Sequence, residues 1–497
     1  MTSSRARTFI ALLAAGALLP LALAPFSLWP IAIVSSAVLF WLLENNSAKQ
    51  TFINATVFGF GLFISGVSWV YISMHDHGDV AAPLALLGTI LFCVFLALLF
   101  AVPFIFSALM PQSPIALSIG LPAIWVLSEW FRGWIFTGFP WLYAGYAHTD
   151  TWLNGWAPVG GVLWLSYING LAAATSVQLL RKAYGTTQLM AALVITLWVM
   201  GYGLQKVDWT EPSGTELSVV LVQPNVNQED KWSPSERDKI LQRLASQTEA
   251  HWGADIILWP EGAIPALPRQ VSDYLIDIDN RAKVNQTSLL IGIPTEDWRS
   301  RRYFNSMLAL GDARGQYDKT RLVPFGEYVP LENVLRGLNR FFDLPMSSFS
   351  LGSANQPLLS VKNELIAPAI CYEIAYPNLV AERATEAGLL LTVSNDAWFG
   401  RSMAPQQHMQ MARMRAIENR KPLMRGTNNG VTALVNYRGE IDQQLEQYSA
   451  SELSGTIAPR EGQTAFTRLG SWPTVLLSIL ICLSLMIKRW LTNIEDK

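Results

Sequence analysis

Apolar residues are unevenly spread along this 497-residue chain. Through the first 206 positions they form seven long runs, near residues 8 to 24, 28 to 43, 53 to 74, 82 to 110, 114 to 130, 157 to 180 and 188 to 204. A bilayer core about 30 Å thick needs roughly 20 mostly apolar residues per helix, so each run is expected to cross a membrane. From Glu216 the pattern shortens. Leu217 to Val222, Ile256 to Trp259, Leu289 to Ile293, Met307 to Leu310, Ile366 to Ile370 and Leu389 to Val393 are β-branched and apolar runs ending in polar or turn residues, and are predicted strands. Ser235 to Trp252 and Ala404 to Asn419 are predicted helices, and this alternation argues for a layered α/β domain over residues 215–457. An eighth apolar run, Trp472 to Ile487, predicts a last span over residues 472–490.

Charge divides the chain at the same place. Only twelve of its 74 charged residues lie in the first 206 positions, so residues 1–206 suit lipid and the following domain suits water. The net charge of −2 comes with no basic tract, which leaves no electrostatic footprint for nucleic acid. Arg5 and Arg7 before an apolar core ending Ala22-Leu23-Ala24 imitate a signal peptide, but Pro25 at the would-be cleavage position argues against removal.

The positive-inside rule sets the orientation. With a cytoplasmic N-terminus, the inside loops hold Arg5, Arg7, Lys49, Arg181, Lys182, Lys488 and Arg489, while the short outside loops hold only Arg132. Seven crossings then put the polar domain outside the cytoplasm, the periplasmic side in a bacterium, and the eighth returns the C-terminus. Glu129 and Arg132 are spaced to pair on one helix face. His75-Asp76-His77 reads as a polar loop tip, since no further ligands stand at metal-binding spacing.

Cys93 and Cys482 lie inside apolar runs, so a disulfide framework is not expected. Cys371, the one thiol of the polar domain, follows a predicted strand. Taken alone, a free cysteine is more often a buried packing residue than a nucleophile. Its neighbours alter that balance, because Trp259-Pro260-Glu261, Tyr317-Asp318-Lys319 and Asn395-Asp396 also stand at strand ends. In open α/β sheets the ligand crevice lies outside the carboxyl ends of strands, so an acid, an amine and a thiol are expected to converge.

Trp259-Pro260-Glu261, the run Asp318 to Glu327 (DKTRLVPFGE) and Ile370-Cys371-Tyr372-Glu373, in that order, resemble the Glu-Lys-Cys signature of the nitrilase or carbon-nitrogen hydrolase superfamily. The eight-span frame, with the domain placed before the last helix and Gly138-Phe139-Pro140-Trp141 after the fifth span, is similar to the apolipoprotein N-acyltransferase family. The resemblance implies a multi-pass α-helical membrane domain of about eight transmembrane helices carrying an α/β nitrilase-like α-β-β-α sandwich.

It also implies roles. Glu261 would be the general base, Lys319 the cation that stabilises an oxyanion, and Cys371 the nucleophile. Trp232 matches a position lining the substrate path, and Glu327, Tyr372 and Glu373 match positions that support the site. The two carboxylates would fix Lys319 or polarise the acceptor amine, and the Tyr372 backbone would donate to the oxyanion. Leu335, Leu338, Phe341, Phe342, Leu344, Met346 and Phe349 form a broken apolar segment, expected to be a lid facing lipid.

The implied reaction moves an acyl chain from a glycerophospholipid, usually phosphatidylethanolamine, through a Cys371 thioester to the α-amine of an S-diacylglyceryl cysteine on an apolipoprotein. It implies no metal or coenzyme, and nothing requires more than a monomer. Lifting a chain of about 15 methylenes into water would cost roughly 12 kcal/mol at about 0.8 per CH₂, so the pocket is expected to open at the bilayer surface. A membrane-tethered amidase or nitrilase is the alternative, although a soluble substrate would not need seven preceding spans. A transporter or sensor with a retained hydrolase-like module is a third, opposed by the intact acid, amine and thiol and by the lack of paired intramembrane charges.

Overall fold

The computed structural model describes residues 3–183, 185–324, 326–328 and 349–495. It separates into two compact units, one comprising residues 1–71, 81–207 and 469–497, the other residues 72–80 and 208–468.

The first unit is helical. Its main helices are Ser3–Leu18, Pro30–Leu43, Ala48–Gly66, Ala82–Phe104, Pro114–Arg132, Ala157–Leu180, Thr186–Gln205 and Trp472–Glu495. Among the described residues, six stretches, 5–22, 82–109, 114–132, 152–180, 186–205 and 472–495, are long and apolar enough to cross a membrane, against the eight expected. Pro30–Leu43 is apolar but has 14 residues. The predicted run 53–74 is broken, because its helix begins at Ala48 with Lys49, Gln50 and Asn54 and ends at Gly66, where Val67 leaves helical geometry.

Packing here relies on small residues and aromatic rings. A Cβ at Gly16 would lie 2.0 Å from the Phe58 carbonyl oxygen and one at Gly61 2.2 Å from that of Leu13, so these two helices meet backbone to backbone. Phe40, Phe58, Phe100 and Phe104 set their rings around buried Trp125 in edge-to-face geometry. Glu129 accepts from the Trp125 indole (2.8 Å) and the Ala144 amide (2.7 Å), while Arg132 donates to the Phe139 and Trp141 carbonyls at 2.5 and 2.7 Å. Both charges therefore tie down the loop that follows their helix.

Among the described residues, the second unit carries a short antiparallel pair, β1 (Glu211–Pro212) with β14 (Arg460–Glu461), and two six-stranded sheets. The first contains β2 (Leu217–Gln223), β3 (Ile256–Leu258), β4 (Ser288–Asp297), β5 (Arg302–Gly311), β6 (Gln316–Asp318) and β13 (Ser451–Ile457), in the order β13-β2-β3-β4-β5-β6. The second contains β7 (Leu359–Val361), β8 (Glu364–Ile370), β9 (Leu389–Ser394), β10 (Leu423–Thr427), β11 (Ala433–Val435) and β12 (Ile441–Gln444), in the order β7-β8-β9-β10-β11-β12. Read in those orders, both sheets pair antiparallel, parallel, parallel, antiparallel, antiparallel.

Three apolar cores bind these layers. Leu221, Leu258, Leu290 and Met307 of one sheet meet Ile366, Ile370, Leu391 and Met424 of the other. Helices Arg237–Glu249 and Ser272–Val284 cover the outer face of the first sheet through Ile240, Leu241, Leu244, Ile278 and Ala282. Helices Pro377–Ala384 and Ala404–Asn419 cover the second through Val380, Ala384, Met409, Ala412 and Ala416. The result is an α-β-β-α stack. Strands such as β2 are buried on both faces, which explains their continuous rather than alternating apolar pattern.

Segment 72–80, the end of the short helix Val70–His75 and the loop after it, belongs to this unit. The Ser73 hydroxyl donates to the Trp398 carbonyl at 2.8 Å, and the His77 ring stands edge-on to Trp398. His75 Nδ1 lies 2.9 Å from the Val80 carbonyl oxygen.

Candidate active site

Parallel strands β3, β8 and β9 end at one edge of the sandwich and deliver Glu261, Cys371 and the tripeptide Ser394-Asn395-Asp396. Lys319 follows short β6 directly.

Glu261 is placed by a buried, tightly packed turn. Trp259 is fully buried and its indole donates to Thr248 at 3.0 Å, fixing the chain ahead of Pro260. The turn passes over Gly292 of β4, where a Cβ would fall 2.2 Å from the Pro260 carbonyl oxygen and 2.7 Å from the Glu261 Cα. Glycine is required there for close approach. The carboxylate then accepts from the Asn395 amide at Oε2 (2.8 Å) and from Asn305 Nδ2 at Oε1 (2.7 Å).

Asn305 also donates to Glu327 at 2.8 Å, and Glu327 lies 2.9 Å from Lys319 Nζ. Lys319 Nζ is in turn 3.6 Å from Glu261, which closes a four-membered ring of side chains. The Lys319 backbone is held on both sides, its amide donating to the Asn305 carbonyl (2.8 Å) and its carbonyl accepting from Gly352 (2.9 Å). Burial opposes the ammonium charge, but the Glu327 and Glu261 carboxylates outweigh it and hold Lys319 above the ordinary lysine range.

Cys371 is half-buried and has φ of +53°, a left-handed conformation uncommon for a residue other than glycine. Glu373 helps to enforce that elbow. Its carboxylate accepts from the Ile370 amide (2.8 Å), the Tyr317 hydroxyl (2.7 Å), the Thr320 amide and hydroxyl (2.7 and 2.8 Å) and the Arg321 amide (3.1 Å). Glu373 thus ties the Cys371 turn to the loop carrying Lys319, whereas Glu327 is the carboxylate that binds the lysine itself. Burial and the Glu261 charge push the thiol up from its ordinary value, against the Lys319 ammonium and the Ser394 hydrogen bond.

Chemically, a protonated thiol stands in the field of an anchored carboxylate and a permanent cation. That arrangement can pass a proton to the carboxylate as sulfur attacks a carbonyl, and can neutralise the oxygen charge that results.

Tyr372 is buried beside Tyr376 in an edge-to-face ring pair, and Trp232 is partly exposed next to buried Lys231. Phe341 and Phe342 lie outside the described residues, as do Leu335, Leu338, Leu344 and Met346 of the expected lid, while Phe349 is buried and its amide donates to the Glu327 carbonyl.

Sequence reasoning missed several participants. Asn305 is a buried amide inside an apolar strand, and that interruption of β5 is the signal that marks it. Lys231 is buried, its Nζ donating to the Glu261 carbonyl at 3.0 Å, and burial brings it down to about 8 although the charges of Glu261 and Cys371 act to raise it. Ser394, His408 and Arg425 cluster with Asp396 beneath Cys371. The described residues hold no group of three or more His, Cys, Asp or Glu arranged to bind a metal ion.

The chain matches the family "Apolipoprotein N-acyltransferase N-terminal domain" over residues 15–175 and the family "Carbon-nitrogen hydrolase" over residues 218–464. It is 44% identical to an apolipoprotein N-acyltransferase of Azotobacter vinelandii over 485 residues, covering 94% of this chain and 93% of that one. Identity to an apolipoprotein N-acyltransferase of Pseudomonas aeruginosa is 42% over 494 residues, covering 98% and 96%. Among solved structures, the Saccharomyces cerevisiae Nit3 protein of the nitrilase superfamily aligns with a TM-score of 0.38 and 17% identity over 51% of this chain and 93% of that one.

Proposed function

The chain belongs to the apolipoprotein N-acyltransferase family, and from that premise we propose that it moves a fatty acyl chain from a glycerophospholipid, phosphatidylethanolamine foremost, to the α-amine of an S-diacylglyceryl N-terminal cysteine. Cys371 carries the chain in between as a thioester. The observation that supports this reading is the ring of Glu261, Asn305, Glu327 and Lys319 set against the Cys371 thiol.

Glu261 takes the thiol proton as sulfur attacks the ester carbonyl, and Lys319 holds the resulting oxyanion. Such preorganised charge contributes about 3 to 4 kcal/mol to catalysis in comparable sites. As the ester C–O bond breaks, Glu261 returns the proton to the departing lysophospholipid oxygen. The neutral amine then attacks the thioester, Glu261 accepts its proton, and the C–S bond breaks to restore the thiol.

The apolar helices belong to the same reading. They keep the enzyme in the bacterial inner membrane as a monomer with both termini cytoplasmic and the catalytic domain, about residues 215–457, periplasmic, where both lipid substrates are anchored.

The test uses purified full-length protein with phospholipid labelled in its acyl chain. Wild type should gain a hydroxylamine-labile adduct that Cys371→Ser lacks, and adding a diacylated N-terminal cysteine peptide should move the label to the peptide amine. Absence of any adduct would sink the thioester route, and release of label only as free fatty acid would make the protein a hydrolase.

A further inference from the structure

The end of β9 touches both halves of the chemistry. Ser394 Oγ is 3.5 Å from Cys371 Sγ, while the amide of the next residue, Asn395, binds Glu261. The third residue, Asp396, anchors the segment in a fully buried cluster. Its Oδ1 accepts from the Ser394 hydroxyl at 2.5 Å and its Oδ2 from Arg425 Nη2 at 2.9 Å. Arg425 Nη2 also lies 3.1 Å from His408 Nδ1, and His408 Nε2 lies 3.1 Å from the Cys371 carbonyl oxygen.

Those contacts assign the hydrogens. A guanidinium nitrogen can only donate, so Nδ1 of His408 accepts and Nε2 bears the hydrogen that grips the Cys371 carbonyl. Burial, with the Arg425 charge next, lowers the His408 pKa and favours this neutral form. His408 Nδ1 and Asp396 Oδ1, 3.3 Å apart, are then two acceptors, so among the described residues it is Ser394 that supplies a hydrogen to Asp396 Oδ1.

We propose, on the basis of the thioester route above, that Ser394 is a further catalytic residue whose hydroxyl turns from Asp396 to the Cys371 sulfur when the thiolate forms, with Asp396, His408 and Arg425 as its positioning residues. When the S–H bond breaks and its proton passes to Glu261, sulfur keeps the electron pair and becomes a strong acceptor. The Ser394 hydrogen rotates to it, and Asp396 keeps its charge partner Arg425. In the thioester, sulfur is a poor acceptor and the hydroxyl returns to Asp396. When the acceptor amine expels the thiolate, the hydroxyl swings back, so the same donor assists both half-reactions.

The charged groups acting on the sulfur are Glu261, Asp396, Lys319 and Lys231. Glu261 and Asp396 oppose the thiolate and the two lysines favour it. A hydroxyl donor and a carboxylate at neighbouring positions therefore predict opposite effects on substitution.

The experiment is alkylation of Cys371 by iodoacetamide in the full-length protein in detergent, followed by mass spectrometry of the Cys371 peptide between pH 7 and 9. This readout needs neither phospholipid nor acceptor, so its outcome is independent of whether the acyl donor has been identified correctly. Ser394→Ala should slow alkylation about tenfold, as expected for loss of a hydrogen bond to a charged group. Asp396→Asn should hold or raise the rate. An S394A rate at or above wild type would overturn the proposal, because Ser394 would then be an acceptor that holds the thiol neutral. Equal falls in both variants would overturn it too, by reducing the cluster to a packing role. Should S394A fail to fold, Ser394→Gly, which also removes the donor, is read against Ser394→Thr, which keeps it: slower alkylation in the glycine variant alone supports the proposal, and equal rates in the two overturn it.

Discussion

The Asn305 amide donates to Glu261 at 2.7 Å and bridges, through the same nitrogen, to Glu327 at 2.8 Å. One uncharged residue thereby keeps two carboxylates in register around a single lysine. Asn305→Ala should lower the rate of acyl-enzyme formation by about 10- to 100-fold, matching the loss of roughly 1.5 to 3 kcal/mol for hydrogen bonds to a charged group. Single-turnover labelling of Cys371 measures it. A wild-type rate would mean that Lys319 and the Asn395 amide position Glu261 without help.

Glu327 shares the neutralisation of Lys319 with Glu261, at 2.9 Å against 3.6 Å. Glu327→Gln leaves the buried ammonium with only the more distant carboxylate. Removing one partner of a buried pair typically costs about 3 to 5 kcal/mol, and the surviving Glu261 should keep the loss toward the lower end. Thermal unfolding in detergent should show a drop of several degrees, and Lys319→Met, which strands two carboxylates, should show a larger one. The reverse order would contradict the ring.

Gly292 is a purely steric prediction. Alanine there would press on the Pro260 carbonyl and the Glu261 backbone, with an overpacking cost of about 1 to 3 kcal/mol. Misplacing a catalytic group by around 1 Å is known to cost on the order of 100-fold in rate. Gly292→Ala should therefore lose far more activity than stability, and equal activity in a folded variant would show that the turn can shift without moving the carboxylate.

Lys231 should report through pH. Its folded pKa of about 8 lies below the unfolded value near 10.4, so over that interval the unfolded chain binds more protons and stability rises with pH. Lys231→Met lacks this contribution. The stability difference, wild type minus variant, should grow by on the order of 3 kcal/mol between pH 8 and about 10.4 and remain flat below pH 7. Unfolding midpoints across that range measure it, and parallel curves would show that the ammonium is better solvated than its burial implies.

The layered α/β domain was legible because its strands carry continuous apolar runs and because Glu261 and Cys371 each follow one of them, whereas Lys319 follows the short polar strand Gln316–Asp318. The membrane helices were legible by composition, but their ends were not. Hydropathy alone cannot see that Val67 breaks the helix after Gly66, or that Pro30–Leu43 stops at 14 residues. The supporting shell was largely hidden for a different reason. Asn305, Ser394, His408 and Arg425 matter through partners 12 to 44 positions away, and such pairings follow from strand order and register, which periodicity does not encode. Glu373 shows the limit of motif reading, since its place beside Cys371 suggested service to the lysine, whereas its donors come from the turn itself and the 317–321 loop.

The two sheets repeat one pairing scheme, and the clustered side chains of the site are divided between them. Glu261, Asn305 and Lys319 stand on or just beyond strands of the first sheet, and Cys371 and Ser394 on or just beyond strands of the second. The chain emerging from a ribosome thus completes its acid and amine before the thiol has been made. Only with the two sheets packed together does the sulfur meet Glu261 and Lys319, so a half-folded molecule carries a cysteine without the carboxylate and the cation.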